Sequence, residues 1–222
     1  MKILIVLAHP ELKSMNGAMF QKAITALTTA GHEVKVSDLY RDQFNPVSDR
    51  GNFTTTYDGA FFKQQLEEMH AAEHTGFAVD IEQEQQKVEW CDLMIWQFPL
   101  WWFTVPGILK GWVDRVFAMG RFYGNGRCYE AGILKGKKAL LSLTTGGAEE
   151  SYLKEGLHGD LEGILKPVHR GMLEFVGFSV LAPQVVYAPV RQHVAERETV
   201  LSDWGDRLSR IFEEEQVVVG GY

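Results

Sequence analysis

The chain has 222 residues, of which 45% are hydrophobic and 23% charged, a composition that predicts one soluble globular domain with a substantial core. The net charge of −7 argues against polyanionic partners, so we expect no nucleic acid and no anionic membrane surface. The cysteines, Cys91 and Cys128, lack motif spacing, which favours a reducing, cytoplasmic compartment. No stretch reaches the roughly 20 apolar residues of a membrane-spanning helix.

Apolar runs alternate with amphipathic stretches along the whole chain. Continuous β-branched runs predict buried strands, and apolar residues with helical spacing predict helices packed against them. The predicted strands are "KILIVLA", "HEVKVSDL", "DLMIWQF", "KKALLSLTT" and "SVLAPQVVY". The predicted helices occupy residues 17–30, 80–91, 107–119, 162–178 and 193–215.

Some segments depart from this alternation. Residues 41–80 lack clear periodicity, so we expect an irregular excursion with short helical pieces. Asp80 is the expected N-cap of the helix that follows, and a short tail is expected after about residue 213. Pro167 predicts that its helix is interrupted or begins nearby, and Pro183 marks the fifth strand as edge or bulged.

Five strands alternating with helices predict a parallel sheet, because parallel strands need crossover connections and these cover both faces with helices. The expected fold is a single flavodoxin-like α/β domain, doubly wound, with strand order 2-1-3-4-5. In such sheets a ligand binds beyond the carboxyl ends of the strands, between the first and third strands. This rule selects the loops after strands one, three and four.

The first and third of these loops carry polar groups and glycines. "HPELKSMNG" leads into a helix whose free N–H groups suit an anion, although Ser14 or Asn16 could simply cap that helix. "TTGGAEESY" carries two hydroxyls and two glycines that admit close backbone approach, or it forms an ordinary turn.

The second loop, "PLWWFTVPG", combines two prolines with Trp101, Trp102 and Phe103. Aromatic faces bind flat rings by offset stacking, so the loop suits a planar ligand. Core packing or a subunit interface are the alternatives, since both are rich in Trp and Phe. An anion site, a flat platform and a glycine-lined edge at one point together favour a flavin nucleotide.

The motifs "LIVLAHPE", "SDLY", "FNP", "FPLWWFTVPGILKGWVDRVF", "LSLTTGG", "GLHGDLEGIL" and "GFSVLAPQVVY" occur in this order. Over nearly the whole chain the sequence resembles the flavodoxin-like NAD(P)H:quinone oxidoreductases of the DT-diaphorase type. The resemblance implies a homodimeric enzyme with bound FAD. It implies two-electron reduction of quinones by NADH or NADPH, with ping-pong kinetics, and makes FMN the less expected cofactor.

The resemblance also assigns residues to the site. It implies cofactor contacts from His9, Ser14, Met15, Asn16, Ala18, Pro99, Leu100, Trp101, Trp102, Phe103, Thr144, Thr145, Gly146, Gly147, Tyr152 and Arg197. Tyr152 and His158 match the family's catalytic pair beside the flavin. The implied substrate contacts come from Trp102, Phe103, Tyr123, Gly146, His158 and Phe175.

The sequence departs from the family pattern at three places. Trp101 stands where close relatives carry glutamine, so its backbone is expected to keep the role. Asn125 falls where a second tyrosine would lie over the substrate, and the chain ends at Tyr222 without the long carboxyl-terminal extension of larger members. The last two differences bear on quinone size and nicotinamide preference more than on the chemistry.

Other interpretations remain open at this point. Some small relatives of this fold are regulatory subunits that dock on a potassium-efflux transporter, and others are one-electron shuttles. His70 and His74 have metal-ligand spacing, but no third ligand accompanies them, so we expect no metal site.

Overall fold

The computed structural model describes residues 1–222 and contains one parallel sheet. Its strands are β1 (Lys2–Leu7), β2 (Glu33–Asp38), β3 (Leu93–Pro99), β4 (Lys138–Thr145), β5 (Ser179–Val180) and β6 (Gln184–Tyr187). They pair in the order β2-β1-β3-β4-β5, and β6 also pairs with β4. The predicted flavodoxin-like order 2-1-3-4-5 is therefore confirmed, and the sheet reverses its winding between β1 and β3.

The fifth position of the sheet differs from the single strand predicted over residues 179–187. Here β5 pairs with the beginning of β4, at Lys138 and Ala139, whereas β6 pairs with its end, from Ser142 to Thr145. The segment between them contains Pro183, which has no N–H to give to the ladder. The break leaves β6 free to run beside the carboxyl end of β4.

Helices cover both faces of the sheet. They are α1 (Met15–Thr29), α2 (Gln64–His74), α3 (Val79–Trp90), α4 (Gly107–Val116), α5 (Leu161–Val168) and α6 (Val194–Leu208). Alternate residues of β1 point to opposite faces: Ile3 and Ile5 join the core under α1 and α6, and Leu4 and Val6 join the core on the other face. None of the six helices is both long and apolar enough to cross a bilayer.

Helix boundaries correct two predictions. The first helix begins at Met15, two residues earlier than expected, because the Ser14 side chain accepts a hydrogen bond from the Gly17 N–H. Asp80 is not an N-cap: α3 begins at Val79, and the Asp80 carboxylate accepts a 3.1 Å bond from Arg115 instead. The interruption predicted near Pro167 corresponds to the end of α5, where a π-helical segment, His169–Glu174, follows.

Buried charged side chains hold the segment 41–80 to α4 and fix its own fold. Arg115 of α4 is buried and donates to the Asn52 side chain at 2.7 Å and the Asn45 carbonyl at 2.6 Å. Glu67 of α2 accepts the N–H of Tyr57 at 2.7 Å, and this bond is the main reason why its pKa lies below the ordinary value. Polar contacts therefore fix this segment, for which sequence periodicity predicts no regular structure.

Candidate active site

A cavity of about 870 Å³ lies at the carboxyl ends of β1, β3 and β4. Its volume falls within the range of roughly 300–1,000 Å³ that is typical of ligand pockets. The sequence-predicted residues that line it are His9, Ser14, Met15, Asn16, Ala18, Pro99, Leu100, Trp101, Trp102, Thr144, Thr145, Gly146 and Arg197. We call it the switch-point cavity, because it opens where the winding of the sheet reverses.

The loop after β1 is folded by its own polar groups. The Nδ1 of His9 accepts the Glu11 N–H at 3.1 Å and lies 3.0 Å from the Ser14 hydroxyl. That hydroxyl donates to the Glu11 carbonyl at 2.6 Å and caps α1. The capping role foreseen for Ser14 is thus present, and the same turn presents the N-terminus of α1 to the cavity. A side-chain carbon at Gly17 would collide with the backbone of Leu12, so the turn requires glycine there.

The aromatic loop after β3 is held open to solvent. Trp102 is 93% exposed, and Trp101 and Phe103 are nearly half exposed, so these rings are not core residues of the chain. Trp102 and Phe103 adopt positive φ angles of 52° and 59°, which cost energy in non-glycine residues. The ring centroid of Trp101 lies 6.2 Å from that of His9. The loop therefore offers exposed aromatic faces at the cavity, and the subunit-interface alternative stays open.

Two buried polar residues of the cavity lining, Asn16 and Thr144, are linked to a third, Gln97, that lies behind them. Gln97 of β3 donates from Nε2 to Oδ1 of Asn16 at 2.9 Å, and Asn16 donates from Nδ2 to the Thr144 hydroxyl at 2.9 Å. Gln97 is 1% exposed, Asn16 3% and Thr144 6%. Sequence reasoning did not identify Gln97, because it stands inside an apolar strand; a polar residue in such a run is the signal that could have found it.

The predicted catalytic pair lies together at one edge of the site. The ring centroids of Tyr152 and His158 are 5.0 Å apart, and Phe103 meets His158 edge to face at 5.2 Å. A side-chain carbon on Gly147 would lie 3.1 Å from the Tyr152 ring and 3.6 Å from His158 Nε2. Phe103, Gly147 and Tyr152 thus adjoin the cavity lining without forming part of it. The Tyr152 ring also packs 5.9 Å from that of Tyr187, whose pKa is raised chiefly by burial.

The far end of the cavity is formed by α6 and the segment before it. Beside Arg197, the lining residues that sequence reasoning missed at this end are Pro189, Val190, Val194, Glu198 and Leu201. The α6 positions 194, 197, 198 and 201 follow the i, i+3, i+4, i+7 spacing of one helix face. That spacing shows a shared face but does not distinguish a cavity wall from core. Lys13 adds a basic side chain near the loop after β1.

Two predicted substrate residues lie elsewhere in the chain. Tyr123 and Phe175 line a second, smaller cavity of about 230 Å³, with ring centroids 5.5 Å apart. Residues of α2, α4 and the π-helical segment complete this lining, which contains no residue of the switch-point cavity. We call it the helix cavity. A single chain therefore does not bring Tyr123 and Phe175 to Trp102 and His158.

A buried carboxylate supports the helix cavity. Glu68 is 3% exposed and accepts the Met119 N–H at 2.7 Å and the Gln64 side-chain amide at 2.8 Å. Its Oε2 lies 3.5 Å from the Tyr123 hydroxyl. Burial raises the pKa of Glu68, and it also raises the pKa of Tyr123, with the nearby Glu68 charge as a second cause. Glu68 therefore ties α2 to the loop that carries Tyr123.

The histidine pair on α2 lies apart from both cavities. The rings of His70 and His74 are 4.2 Å apart, and Nδ1 of His74 lies 2.8 Å from the His70 carbonyl. No third His, Cys, Asp or Glu joins them as a possible ligand. The pair has no geometry for a metal beyond its sequence spacing.

Comparison with known proteins gives the class of this chain. Residues 1–208 match the family model described as a flavodoxin-like fold. Ribosyldihydronicotinamide dehydrogenase [quinone] of Rattus norvegicus is 44% identical over 97% of the chain and 94% of its own length. NAD(P)H dehydrogenase [quinone] 1 of Cavia porcellus is 44% identical over 96% of the chain and 78% of its own length.

A solved structure agrees with these relatives. A putative quinone reductase from Klebsiella pneumoniae superposes with a TM-score of 0.94 at 38% identity, covering 98% of this chain and 87% of that one. The chain belongs to the flavodoxin-like family of NAD(P)H:quinone oxidoreductases. The resemblance that the motifs indicated is confirmed, as is the expectation of an oxidoreductase of this kind.

Proposed function

We propose that the protein catalyses the two-electron reduction of a quinone by NADH or NADPH with bound FAD. One observation carries the proposal: the lining of the switch-point cavity runs without a break from the aromatic loop to α6. One end offers Trp102 and Gly146 to a flat ring, and the other offers Arg197 to a nucleotide. The family membership supports the same reading.

The residues present fit a flavin dinucleotide. A side-chain carbon at Gly146 would meet nothing within 4 Å, so this edge is open to a ligand. The N-terminus of α1 offers N–H groups to a diphosphate. The wall made by Val194, Arg197 and Leu201 adds a surface for an adenosine group, which FMN lacks. All of these residues would belong to one domain spanning 1–222.

A flavin held by these residues would supply the redox chemistry that carries hydride from nicotinamide and two electrons to the quinone. The chain would orient both substrates and supply protons. Tyr152 can donate from its phenol, and the imidazole of His158 can act as a hydrogen-bond donor or acceptor. Trp102 and Phe103 would form the floor for both substrates. Because one face would serve both, the oxidised nicotinamide must leave before the quinone enters, and ping-pong kinetics are expected.

A homodimer is part of the proposal. The exposed aromatic loop supports it, since large exposed apolar surface marks interaction sites. In a symmetric dimer, Tyr123 and Phe175 of one subunit could complete the substrate site of the other. Light scattering at micromolar concentration is expected to give twice the mass of the 25.1 kDa chain. A fully active monomer would refute this part. A cytoplasmic location is also proposed, supported by two free cysteines.

The decisive experiment has two arms. The chromophore released by denaturation is identified by chromatography, and FAD is expected. The purified protein is then assayed with NADH and NADPH against a small and a large quinone. If the released chromophore is mainly FMN, the proposed adenosine site is refuted, but the proposed enzymatic activity is not. Bound flavin without nicotinamide oxidation by any acceptor would refute the enzymatic proposal and leave the regulatory, transporter-docking alternative.

A further inference from the structure

The buried polar chain from Gln97 through Asn16 to Thr144 has a defined direction. Gln97 donates a hydrogen bond from Nε2 to Asn16 Oδ1, and Asn16 donates one from Nδ2 to the Thr144 hydroxyl oxygen. Nε2 of Gln97 also lies 3.9 Å from the sulfur of Met19, a weak acceptor, and its Oε1 has no partner. In both hydrogen bonds, therefore, the donor lies on the side of the strand interior and the acceptor on the side of the cavity.

The direction determines what Thr144 can do. Its oxygen is already an acceptor for Asn16, and its own proton is given to no protein group. The adjacent Thr145 differs, because its hydroxyl donates to the Gly147 carbonyl at 2.8 Å. Thr144 lines the switch-point cavity, whereas Gln97 does not. Of the two neighbouring hydroxyls, only that of Thr144 keeps a proton for a ligand.

We propose that Gln97 is a positioning residue that fixes Thr144 as a hydrogen-bond donor to an acceptor atom of the bound flavin. The inference rests on the proposed function for its ligand. A carbonyl, ring nitrogen or phosphate oxygen can accept from Thr144, and a group that offers only a proton is disfavoured. Gln97 does not line the cavity and acts through Asn16: because Asn16 accepts from Gln97 with Oδ1, its Nδ2 faces Thr144.

Gln97→Glu tests the direction of the chain. At a pH where the introduced carboxyl is ionised, it accepts but does not donate, so the Asn16 amide turns its Nδ2 toward residue 97. Its Oδ1 then faces Thr144 and accepts a hydrogen bond from the Thr144 hydroxyl, which is no longer free to donate to the ligand. The dissociation constant of FAD, measured by titration of the apoprotein, is expected to rise about three- to tenfold, the effect of one lost hydrogen bond. Gln97→Met, which is uncharged, is expected to raise it about two- to threefold.

A double-mutant cycle separates positioning from general damage. Thr144→Val alone should weaken FAD binding about three- to tenfold, and Thr144→Ser, which keeps the hydroxyl, should not. In the Thr144→Val background, Gln97→Glu should not weaken FAD binding further, because the hydroxyl whose hydrogen bond it redirects is absent. Charge repulsion or loosened packing would weaken binding equally in both backgrounds. Such additivity, or wild-type affinity in both Gln97 variants, would overturn the positioning role.

Ser142 supplies the matched control. It pairs with Gln97 in register on β4, is fully buried, and its hydroxyl has no partner. Ser142→Ala is expected to leave FAD affinity unchanged, and weakening as large as that of Gln97→Met would contradict the inference. If Gln97→Glu does not fold, Gln97→Met carries the same cycle. Wild-type protein that binds neither FAD nor FMN would refute the proposed function, and the inference would fall with it.

Discussion

The two cavities of the chain are built by different means. The switch-point cavity lies at strand ends, where loop backbone, hydroxyl and amide side chains and exposed aromatic rings line it together with the charged side chains of Lys13, Arg197 and Glu198. The helix cavity lies between helices, and it is supported by the buried carboxylate of Glu68. Behind the same helical layer, His169 is also buried. We therefore expect ligand binding to act on the first region, whereas the stability of the second region should depend on pH.

The largest expected effect is the stabilisation of the folded chain by FAD, which should involve the switch-point cavity and not the helix cavity. FAD at about 1,000 times its dissociation constant should raise the free energy of unfolding by about 4.1 kcal/mol, because it binds only the folded chain. Urea denaturation of apoprotein with and without FAD measures this. Tyr123→Phe, in the helix cavity, should keep the full increase at the same FAD concentration. If Tyr123→Phe and Thr144→Val reduced the FAD-dependent increase in stability equally, the two cavities would not differ in FAD binding.

The second effect belongs to the helical layer and follows pH. Burial lowers the pKa of His169 from 6.5 to about 4. The unfolded chain therefore binds a proton that the folded chain refuses, so stability is fully present above pH 6.5 and falls as the pH drops toward 4. The loss amounts to roughly 3 kcal/mol, since one pKa unit is worth about 1.36 kcal/mol.

His169→Leu isolates this contribution. Nε2 of His169 has no hydrogen-bond partner, so an apolar side chain of similar size gives up no bond at that atom. The variant should match the wild type at pH 7 and become the more stable protein as the pH approaches 4. Denaturation midpoints of the two proteins from pH 7 to pH 4 measure the difference. Parallel curves would show that His169 is not the acid-sensitive group.

The third effect returns to the edge of the switch-point cavity. His158→Gln keeps some hydrogen bonding but cannot become a cation, so flavin reduction by nicotinamide should slow about tenfold or more, equivalent to at least ~1.4 kcal/mol. Tyr152→Phe should slow the same step. Because the rings are neighbours, the double variant should lose less than the sum of the single losses. Stopped-flow absorbance measures the rate without the quinone half-reaction. Wild-type rates in both single variants, with flavin bound, would show that Tyr152 and His158 do not act in this step.

The same comparison explains what the sequence could predict. Strand ends meet at one edge by topology, so a correct strand order was enough to group His9, Pro99 and Thr144. The helix cavity depends on how α2 packs on α4, and no periodicity in residues 41–80 indicated that contact. Gln97 was missed for another reason: its partners are distant in sequence, and only the folded chain shows that its amide reaches Asn16.

The smallest expected effect concerns Glu68→Gln. Glutamine keeps an acceptor for the Met119 N–H but loses the charge beside Tyr123. The KM for quinone should rise about two- to threefold through the altered Tyr123 position, while the affinity for FAD stays unchanged, because Glu68 lines only the helix cavity. Steady-state kinetics with saturating nicotinamide measure the first value, and FAD titration measures the second.

The pH dependence of stability sharpens this last test. The pKa of Glu68 is raised by burial, so the folded chain holds the proton more tightly than the unfolded chain. The stability that the protonated carboxyl contributes is fully present below the unfolded pKa and is lost as the pH rises through the folded pKa. Glu68→Gln has no such proton to lose, so the variant should gain on the wild type as the pH increases, opposite in sign to His169→Leu. A variant that instead loses ground with rising pH would mean that the ionised carboxylate stabilises the helix cavity, through its bonds to Met119 and Gln64, by more than its burial costs.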